Sequence, residues 1–515
     1  MRSLLVHETL RDAAYQYEST PVVSSAVTYT YGSIYERTVR LADSLTRLGI
    51  RRGTMVGVMD VNSHRYFELH HALSMVGAVI HTINFRLSPQ DILWTIGQAH
   101  DEWLFLWNGF GTLTDVVAPA CPHVVWMSEA AGPDREPDYE TLVAEGRFRV
   151  PDIAGTIAPS DVYSVFYTTG TTGRPKGIRY THQQMLSGAL QIAHALALQD
   201  TGANLTGSDV IMPLIPFFHI HGWGVPFIAP YLGAPLVLPE RSGPEEQVEL
   251  IRQHEVTWSN MVPTQLFMLL EATSDPLPLK VLTGGSPLSS GLARQADRQG
   301  IQFSLIYGGS DQLGSAISAA PGLTGPQRLD ALGSRLTPFP MVRMEVRDSA
   351  ANQVPSDGAT LGELWIQSPW LPDGYLDNPE ASDAAFVGGW FRSGDLAVRY
   401  PDGQISVMDR IKDAIKSGGE WVAGSVIESI ISELPGVHSV AVIAIPDARW
   451  GERPKAVIAA GSGVDADRVQ QALSRAVDEG RLAKFWIPDV MEFVESLPMT
   501  SAGKINKTQL RNASR

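Results

Sequence analysis

The sequence is short of cysteine, since Cys121 is the only one among 515 residues. An intrachain disulfide and a zinc cluster built on cysteines are therefore excluded, and a reducing compartment fits this composition. The neighbouring residues, Ala118 to Pro122, include no side chain that would activate a thiolate. We predict that Cys121 is a buried spectator and not a nucleophile.

The chain also lacks long apolar runs and an excess of basic residues. No run reaches the roughly 20 residues that a membrane helix needs, and the apolar part of the N-terminal stretch MRSLLVHETL is too short for a signal peptide. Lys and Arg total 40 against 55 Asp and Glu, and the resulting net charge of −15 argues against nucleic acid or an anionic membrane as a general partner. We expect a cytoplasmic protein without a membrane span. The sequence does not distinguish a monomer from a homodimer.

The length and the hydrophobic content of 44% are sufficient for several structural units. Strand and helix patterns alternate as far as residue 307, which predicts parallel sheets covered by helices on both faces. The predicted strands are 55–59, 162–167, 209–214, 236–239, 256–260, 280–282 and 302–307, and the predicted helices are 34–48, 66–75, 181–195, 245–254, 264–272 and 288–299.

Beyond Gly362 the pattern changes to short antiparallel strands, and a compact tail follows Arg410. In this tail we predict a helix at 425–434 and strands at 439–445, 455–460 and 490–494. The expected fold is α/β, with a large N-terminal domain of two parallel, helix-covered sheets over residues 1–409. That domain includes a small β subdomain at about 330–409. A small α+β domain over residues 410–515 follows, with a candidate hinge at the junction from Asp409 to Lys412.

A glycine-rich run, YTTGTTGRPKG at residues 167–177, follows the predicted strand 162–167. Glycines allow the backbone N–H groups to curl around an anion, threonines add hydroxyl donors, and Lys176 adds a mobile positive charge. A flexible surface loop is the alternative, but strand, glycine loop and helix form a familiar frame for nucleotide phosphates. The spacing differs from GxxxxGK[ST], so a Walker-type NTPase is not expected.

Eight motifs then occur in one order along the chain: YTTGTTGRPKG at 167–177, FHIHGWG at 218–224, GGSP at 284–287, YGGSD at 307–311, GELW at 362–365, FRSGDL at 391–396, DRIKDAIKSGGEW at 409–421 and PMTSAGKINK at 498–507. Together they resemble the adenylate-forming superfamily, which includes acyl-CoA synthetases, adenylation domains of peptide synthetases and luciferase-like enzymes. The resemblance covers nearly the whole chain. It implies an ATP-dependent ligase that works through an acyl-adenylate.

The resemblance implies a role for each matching residue at the nucleotide. The phosphates of ATP would be bound by Thr168, Thr169, Gly170, Thr171, Thr172, Gly173 and Lys176, and the adenine and ribose by Gly284, Gly285, Ser286, Pro287, Tyr307, Gly308, Asp395 and Arg410. A carboxylate such as Asp395 suits a ribose diol, because it accepts two donated hydrogens at once. Lys504 would be the catalytic cation that offsets repulsion between the substrate carboxylate and the α-phosphate.

Magnesium is expected with ATP, because it neutralises the polyphosphate and the pyrophosphate leaving group. The superfamily's usual ligand is a glutamate after a threonine, and this chain has Ser310 and the shorter Asp311 instead. Asp311 is the candidate magnesium ligand, since it can reach the ion directly or through a water. His219 and His221 suggest a zinc site as an alternative, but the sequence offers no third ligand nearby. The resemblance instead assigns His219 a catalytic place beside the acyl carboxylate.

The expected acyl pocket includes Ile220, Trp223, Gly224, Gly309 and Ser310. Val225, Phe227 and Ile228 fit either the pocket wall or a buried core helix. The segments 211–239, 282–290 and 303–316 contain no Lys or Arg, which disfavours a diacid and favours an apolar acid. The paired glycines 284–285 and 308–309 are expected to leave room for the acyl group.

For the second step, the resemblance implies rotation of the C-terminal domain about Lys412 and a thiol tunnel lined by Ser417, Gly418, Gly419, Glu420 and Trp421. Coenzyme A is the expected acceptor, and a carrier protein is the alternative. Two other functions stay open. The enzyme could stop at the adenylate and pass it to a partner, or the chain could be a nucleotide-binding sensor without turnover.

Overall fold

A computed structural model describes residues 3–25, 27–128, 137–168, 174–461, 463–499 and 505–514. In these ranges the strands form three sheets. The first sheet has six strands in the order β6-β5-β3-β4-β7-β8, and only the β7–β8 pair is antiparallel. Its strands are β3 (Met55–Met59), β4 (Val79–Thr82), β5 (Trp103–Trp107), β6 (His123–Met127), β7 (Val162–Tyr167) and β8 (Gly177–Thr181).

The second sheet has fourteen strands in the order β16-β17-β19-β20-β15-β14-β13-β12-β11-β9-β10-β1-β2, with β18 paired to β19. Strands β13, β12, β11, β9, β10 and β1 are parallel neighbours, and the pairs from β13 to β16 are antiparallel. The expected β subdomain thus extends the second sheet and is not a separate one. The strands are β1 (Pro21–Ser24), β2 (Val27–Thr30), β9 (Ile211–Pro213), β10 (Leu236–Leu238), β11 (Trp258–Met261), β12 (Lys280–Gly284), β13 (Gln302–Gly309), β14 (Leu313–Ser318), β15 (Leu336–Pro338), β16 (Arg343–Arg347), β17 (Gly362–Gln367), β18 (Phe386–Val387), β19 (Trp390–Arg399) and β20 (Ile405–Arg410).

The third sheet belongs to the C-terminal part of the chain and has its own apolar core, which includes Ile427, Val442 and Leu473. Four strands run in the order β22-β21-β24-β23, and β25 pairs in parallel with β24. The strands are β21 (Ile415–Ser417), β22 (Glu420–Val422), β23 (Val437–Asp447), β24 (Gly451–Ala460) and β25 (Val490–Val494).

The helices cover the sheets, and the main apolar core takes side chains from both large sheets and from the helices between them. In the described residues, no helix is both long and apolar enough to span a bilayer. The helical segments are α1 (Val6–Gln16), α2 (Tyr31–Arg47), α3 (His64–Val76), α4 (Pro89–Ala99), α5 (Thr112–Val117), α6 (Tyr139–Glu145), α7 (His182–Leu198), α8 (Ile220–Trp223), α9 (Val225–Leu232), α10 (Pro244–Gln253), α11 (Pro263–Glu271), α12 (Ser290–Arg298), α13 (Gly325–Ser334), α14 (Pro379–Ala385), α15 (Gly424–Ser432), α16 (Ala466–Asp478) and α17 (Lys507–Ala513).

Cys121 is 7% exposed, and its thiol donates to the backbone oxygen of Asp101 at 3.2 Å. Burial raises the pKa of the Cys121 thiol to about 11, so the reactive thiolate is disfavoured at neutral pH. The predicted burial of Cys121 is confirmed.

Candidate active site

The candidate site residues follow the carboxyl ends of parallel strands in two sheets. Thr168 comes directly after β7, the segment with His219 follows β9, and β12 and β13 end at Gly284 and Gly309. In open α/β sheets, ligands bind in the crevice outside these strand ends. The two sheets meet here, since the Tyr180 hydroxyl on β8 donates to the Ser310 backbone oxygen at 2.9 Å. Residues far apart in sequence are therefore brought to one junction of the two sheets, where the strand-end rule expects a crevice.

Asp395 is the centre of a first charged cluster. Its carboxylate accepts a short hydrogen bond from the Tyr307 hydroxyl, and the Arg410 Nε lies 2.7 Å from its Oδ1. Asp395 and Arg410 are also directly opposite in the β19–β20 ladder, and the backbone N–H of Asp395 donates to the Ser393 hydroxyl at 3.0 Å. A carboxylate has about four acceptor positions, so these contacts are compatible with accepting ribose hydroxyls as well.

This cluster also fixes protonation states. Burial raises the pKa of Tyr307 well above its ordinary value, and the neighbouring Asp395 raises it further. Burial alone would lower the pKa of Arg410, but Asp395 and other nearby groups outweigh it and raise that pKa. The tyrosine therefore stays a neutral donor and the arginine stays charged at neutral pH.

A second cluster links the glycine loop to Asp311. The loop ends are tied together, because the Thr168 backbone N–H donates to the Lys176 oxygen at 2.9 Å. The Lys176 ammonium lies 4.6 Å from the centre of the Tyr375 ring, and the Tyr375 hydroxyl and the Asp311 carboxylate are close enough for each to shift the pKa of the other. Lys176, Tyr375 and Asp311 thus come together at one point of the crevice.

Sequence reasoning missed Tyr375. It lies between β17 and α14, forms an isolated bridge with Ile178 of β8, and is brought to Asp311 only by the tertiary fold. Burial raises its pKa, and the nearby Asp311 raises it further, so Tyr375 stays a neutral donor. A lone tyrosine in a segment without periodicity gives no signal that sequence analysis could use.

Asp311 fits a magnesium ion as a single carboxylate ligand. Burial raises its pKa, while the Tyr375 hydroxyl, Arg410 and Lys176 oppose that rise. Magnesium at a nucleotide is usually held by one or two carboxylates together with phosphates and waters, which matches this donor set. Bound there, the ion would supply positive charge to the polyphosphate.

His219 stands at the start of an unusual backbone turn. Ile220, His221, Gly222, Trp223 and Gly224 have φ angles of 44°, 43°, 55°, 54° and 82°, so five consecutive residues are left-handed. Each non-glycine residue in this region costs about 1–2 kcal/mol, and a β-branched isoleucine is especially unsuited to it. The expected pocket wall is therefore a strained turn and not a regular helix.

Two buried asparagines hold the segment that leads into this turn. The Asn62 side chain donates to the Pro213 and Ile215 oxygens at 3.0 and 2.9 Å and accepts from the Phe217 N–H at 2.8 Å. The Asn260 side chain donates to the Gly222 oxygen at 2.9 Å. Sequence reasoning missed both residues, although Asn260 lies inside a predicted strand, where an amide side chain is uncommon.

The apolar residues after this turn divide into two groups. Val225, Phe227 and Ile228 are at most 1% exposed in the main core, so the core-helix interpretation fits all three. Ile220 and Trp223 are 8% and 7% exposed, slightly more than the other three. His221 is fully buried, and burial lowers its pKa to about 3.

Within each of the two glycine pairs, the two positions differ in the space around them. A Cβ at Gly284 or Gly308 would collide with the backbone oxygen of Ile306 or Leu313 on the adjacent strand. Gly285 and Gly309 have more room, with nearest atoms at 3.5 and 3.8 Å from an added Cβ. The expectation that both pairs leave space for the acyl group is therefore wrong for the first glycine of each pair.

The expected thiol segment forms a tight hairpin. Gly418 and Gly419 have φ angles of 62° and 91°, which favour glycine, and Gly418 lies against the ring of Trp450. Ser417 is 4% exposed, and its hydroxyl accepts from Arg453 at 3.2 Å, so its side chain supports the hairpin and does not line an open channel. Glu420 is exposed and Trp421 is half-buried.

Several predicted residues lie outside the described ranges. Thr169, Gly170, Thr171, Thr172, Gly173 and Lys504 are among them. Ser286 is half-buried and Pro287 is exposed, directly after the strand end at Gly284.

Comparison with known proteins gives consistent matches over both parts of the chain. The AMP-binding enzyme family matches residues 10–376, and the AMP-binding enzyme C-terminal domain matches residues 426–504. The chain is 35% identical over 500 residues to the long-chain-fatty-acid–CoA ligase of Thermus thermophilus, covering 94% of this chain and 89% of that protein. It is 31% identical over 545 residues to the 3-methylmercaptopropionyl-CoA ligase of Ruegeria pomeroyi, with 99% and 96% covered.

Among solved structures, the anthranilate CoA ligase AuaEII in complex with anthranoyl-AMP superposes with a TM-score of 0.86 at 23% identity, covering 99% of this chain and 97% of that one. The two large sheets, the smaller C-terminal unit and the charged crevice define an adenylate-forming ATP-binding enzyme. The chain belongs to the AMP-binding enzyme family. It is an acid–thiol ligase of the AMP-forming type.

Proposed function

We propose that the protein activates an apolar carboxylic acid and transfers its acyl group to coenzyme A. In the first step an oxygen of the acid attacks the α-phosphorus of ATP and pyrophosphate leaves. In the second step the thiolate of coenzyme A attacks the acyl carbon and AMP leaves, the thiol proton passing to solvent. The observation that supports the proposal is the proximity of the two charged clusters at the strand ends, which brings Lys176, Arg410, Asp395 and Asp311 together.

The proposed roles rest on the resemblance to the superfamily and on the charge of each side chain. Lys176 and the glycine loop would bind the phosphates, Asp395 and Tyr307 the ribose, and Gly285 the adenine. Asp311 would hold magnesium. Lys504 would act on the first step by stabilising charge that develops on the phosphoryl oxygens.

An uncharged acyl group is supported by the composition of the expected pocket. The segments 211–239, 282–290 and 303–316 contain no Lys or Arg, so these segments offer no cation to a second carboxylate. The relatives named above act on a long-chain fatty acid and on a short thioether acid, both with uncharged tails. The single cysteine and the acidic composition support a cytoplasmic location as part of the proposal.

Pyrophosphate exchange tests the first step and thioester formation tests the second. Labelled pyrophosphate should enter ATP only when an acid from an apolar panel is present, and the same acid should yield acyl-CoA when coenzyme A is added. Exchange without acyl-CoA would favour a carrier protein or a partner enzyme as acceptor. ATP binding without exchange across fatty, aryl and branched acids would support the nucleotide sensor and refute the ligase.

Lys484 offers a matched control for Lys504. Lys484 is an exposed lysine of the same C-terminal unit, distant in sequence from the PMTSAGK motif. Lys484→Ala should keep the exchange rate, whereas Lys504→Ala should lose it. Equal loss in both variants would mean that general positive charge, and not a specific lysine, supports adenylation.

A further inference from the structure

We propose that Asn260 is a positioning residue for the acyl half of the site, with Asn62 in a supporting role. The inference rests on the proposed function and adds a device that holds His219 and the adjoining apolar wall in place. Its starting point is the left-handed turn at residues 220–224, which contains three non-glycine residues with positive φ. Such strain persists only where the surrounding structure fixes it, and it clusters at functional sites.

Asn260 contacts this turn directly. The residue is fully buried on β11, its Nδ2 donates to the Gly222 oxygen at 2.9 Å, and its Oδ1 accepts from the Ile215 N–H at 3.3 Å. One side chain therefore connects the middle of the left-handed turn to the chain that precedes His219. If the amide is removed, the Gly222 oxygen loses a buried partner and the turn loses a restraint.

Asn62 restrains the same segment from the other sheet. It lies just after β3, and its three hydrogen bonds to Pro213, Ile215 and Phe217 fix the backbone that carries the chain from β9 to His219. The backbone N–H of His219 in turn donates to the Pro216 oxygen at 2.9 Å. The His219 segment is thus fastened on both sides, and small displacements there would misplace the acid relative to ATP.

The substitution Asn260→Asp, which replaces the side-chain amide by a carboxyl group of the same shape, gives a specific test. In Asn260→Asp, burial favours the neutral carboxyl, which can donate to the Gly222 oxygen and accept from Ile215 as the amide does. The ionised carboxylate cannot donate and would face that oxygen with negative charge. We expect kcat/KM for the acid in pyrophosphate exchange to fall about tenfold or more at pH 8 and to recover relative to the native enzyme as the pH is lowered towards 6.

Asn260→Ala should show the same loss without the recovery, and KM for ATP should change little in either variant. Ser259→Ala is the matched control, because Ser259 is also fully buried on β11 and donates to the Met212 oxygen at 2.6 Å without touching the turn. That control should lower Tm but keep kcat/KM. If Asn260→Asp and Asn260→Ala lower Tm like the control and keep kcat/KM for the acid, the positioning role is refuted.

Binding of octanoyl- and benzoyl-sulfamoyl adenosine separates this inference from the proposed function. Asn260→Ala should weaken the tighter of the two analogues about tenfold while ATP affinity is kept. A native protein without turnover would overturn the proposed function, yet selective loss of analogue affinity would still support the positioning role. If Asn260 variants do not fold, Asn62→Ala provides the same comparison. Unchanged analogue affinity in the folded variant would overturn the inference.

Discussion

Mild acid should destabilise the N-terminal part of this protein because it contains deeply buried neutral histidines. His7 is 4% exposed, and His71, His182 and His221 are fully buried. Burial lowers the pKa to about 3 for His7 and His221 and to about 4 for His71 and His182. In the unfolded chain the same imidazoles titrate near pH 6.5, as histidine ordinarily does.

The direction in which pH changes the free energy of unfolding follows from proton uptake. Below about pH 6.5 the unfolded chain binds protons that the folded protein does not bind until about pH 4. The free energy of unfolding therefore decreases as the pH is lowered through that window. Between pH 7 and pH 5 each such group removes about 2 kcal/mol of stability. The four groups together remove about 8 kcal/mol, which is comparable to the typical stability of a domain. No further change from these groups is expected above pH 7.

Guanidinium denaturation at pH 7, 6, 5.5 and 5, followed by fluorescence, measures this dependence. His71→Leu should reduce the loss between pH 7 and pH 5 by about 2 kcal/mol, because one titrating group is removed. His194→Leu is the control, since His194 is exposed on α7. A free energy of unfolding that changes by less than about 2 kcal/mol over this range would refute the reasoning, since four buried neutral imidazoles require more.

Three further predictions concern the reaction. Lys504→Ala should abolish pyrophosphate exchange but keep thioester formation from supplied acyl-adenylate, because the lysine serves only the first step; equal loss of both steps would contradict its role. Lys412→Pro should impair thioester formation more than exchange, since proline fixes φ at the expected pivot, and a normal transfer rate would place the hinge elsewhere. Asp395→Asn should raise KM for ATP about tenfold or more in the exchange assay by weakening charge-assisted hydrogen bonds to the ribose, whereas a change confined to KM for the acid would contradict that assignment.

Periodicity and turn residues were sufficient to predict about half of the elements in the alternating region. The strands predicted at 55–59 and 162–167 have the same bounds in the structure, and the helix predicted at 181–195 spans His182–Leu198. Local chemistry explains this agreement: Thr181 caps the helix by accepting from the Gln184 N–H, and Gln184 accepts from the Thr181 N–H in return. Such signals act over three or four residues and are visible in sequence.

Features that depend on distant residues were not predictable in the same way. Helix α3 contains His64, Arg65, Glu68, His70 and His71, a pattern typical of a solvent face, yet the whole helix is buried. Its charges are satisfied by residues outside the helix, such as Arg37, whose Nε lies 2.6 Å from Glu68. The Tyr375–Asp311 contact and the left-handed turn at Ile220 likewise depend on tertiary neighbours that periodicity does not encode.

The same kind of tertiary anchoring supports Lys412 as the pivot between the two parts of the chain. On its N-terminal side, Arg410 is paired with Asp395 and the Ile411 N–H donates to the Gly394 oxygen at 2.9 Å. On its C-terminal side, Arg511 of α17 donates to the Lys412 oxygen at 3.1 Å and forms an ion pair with Asp413. The φ angle of Lys412 therefore lies between a peptide fastened to one part and a carbonyl fastened to the other. A rotation there would carry α17 with the C-terminal part, while Asp395 and Arg410 keep their place in the N-terminal part.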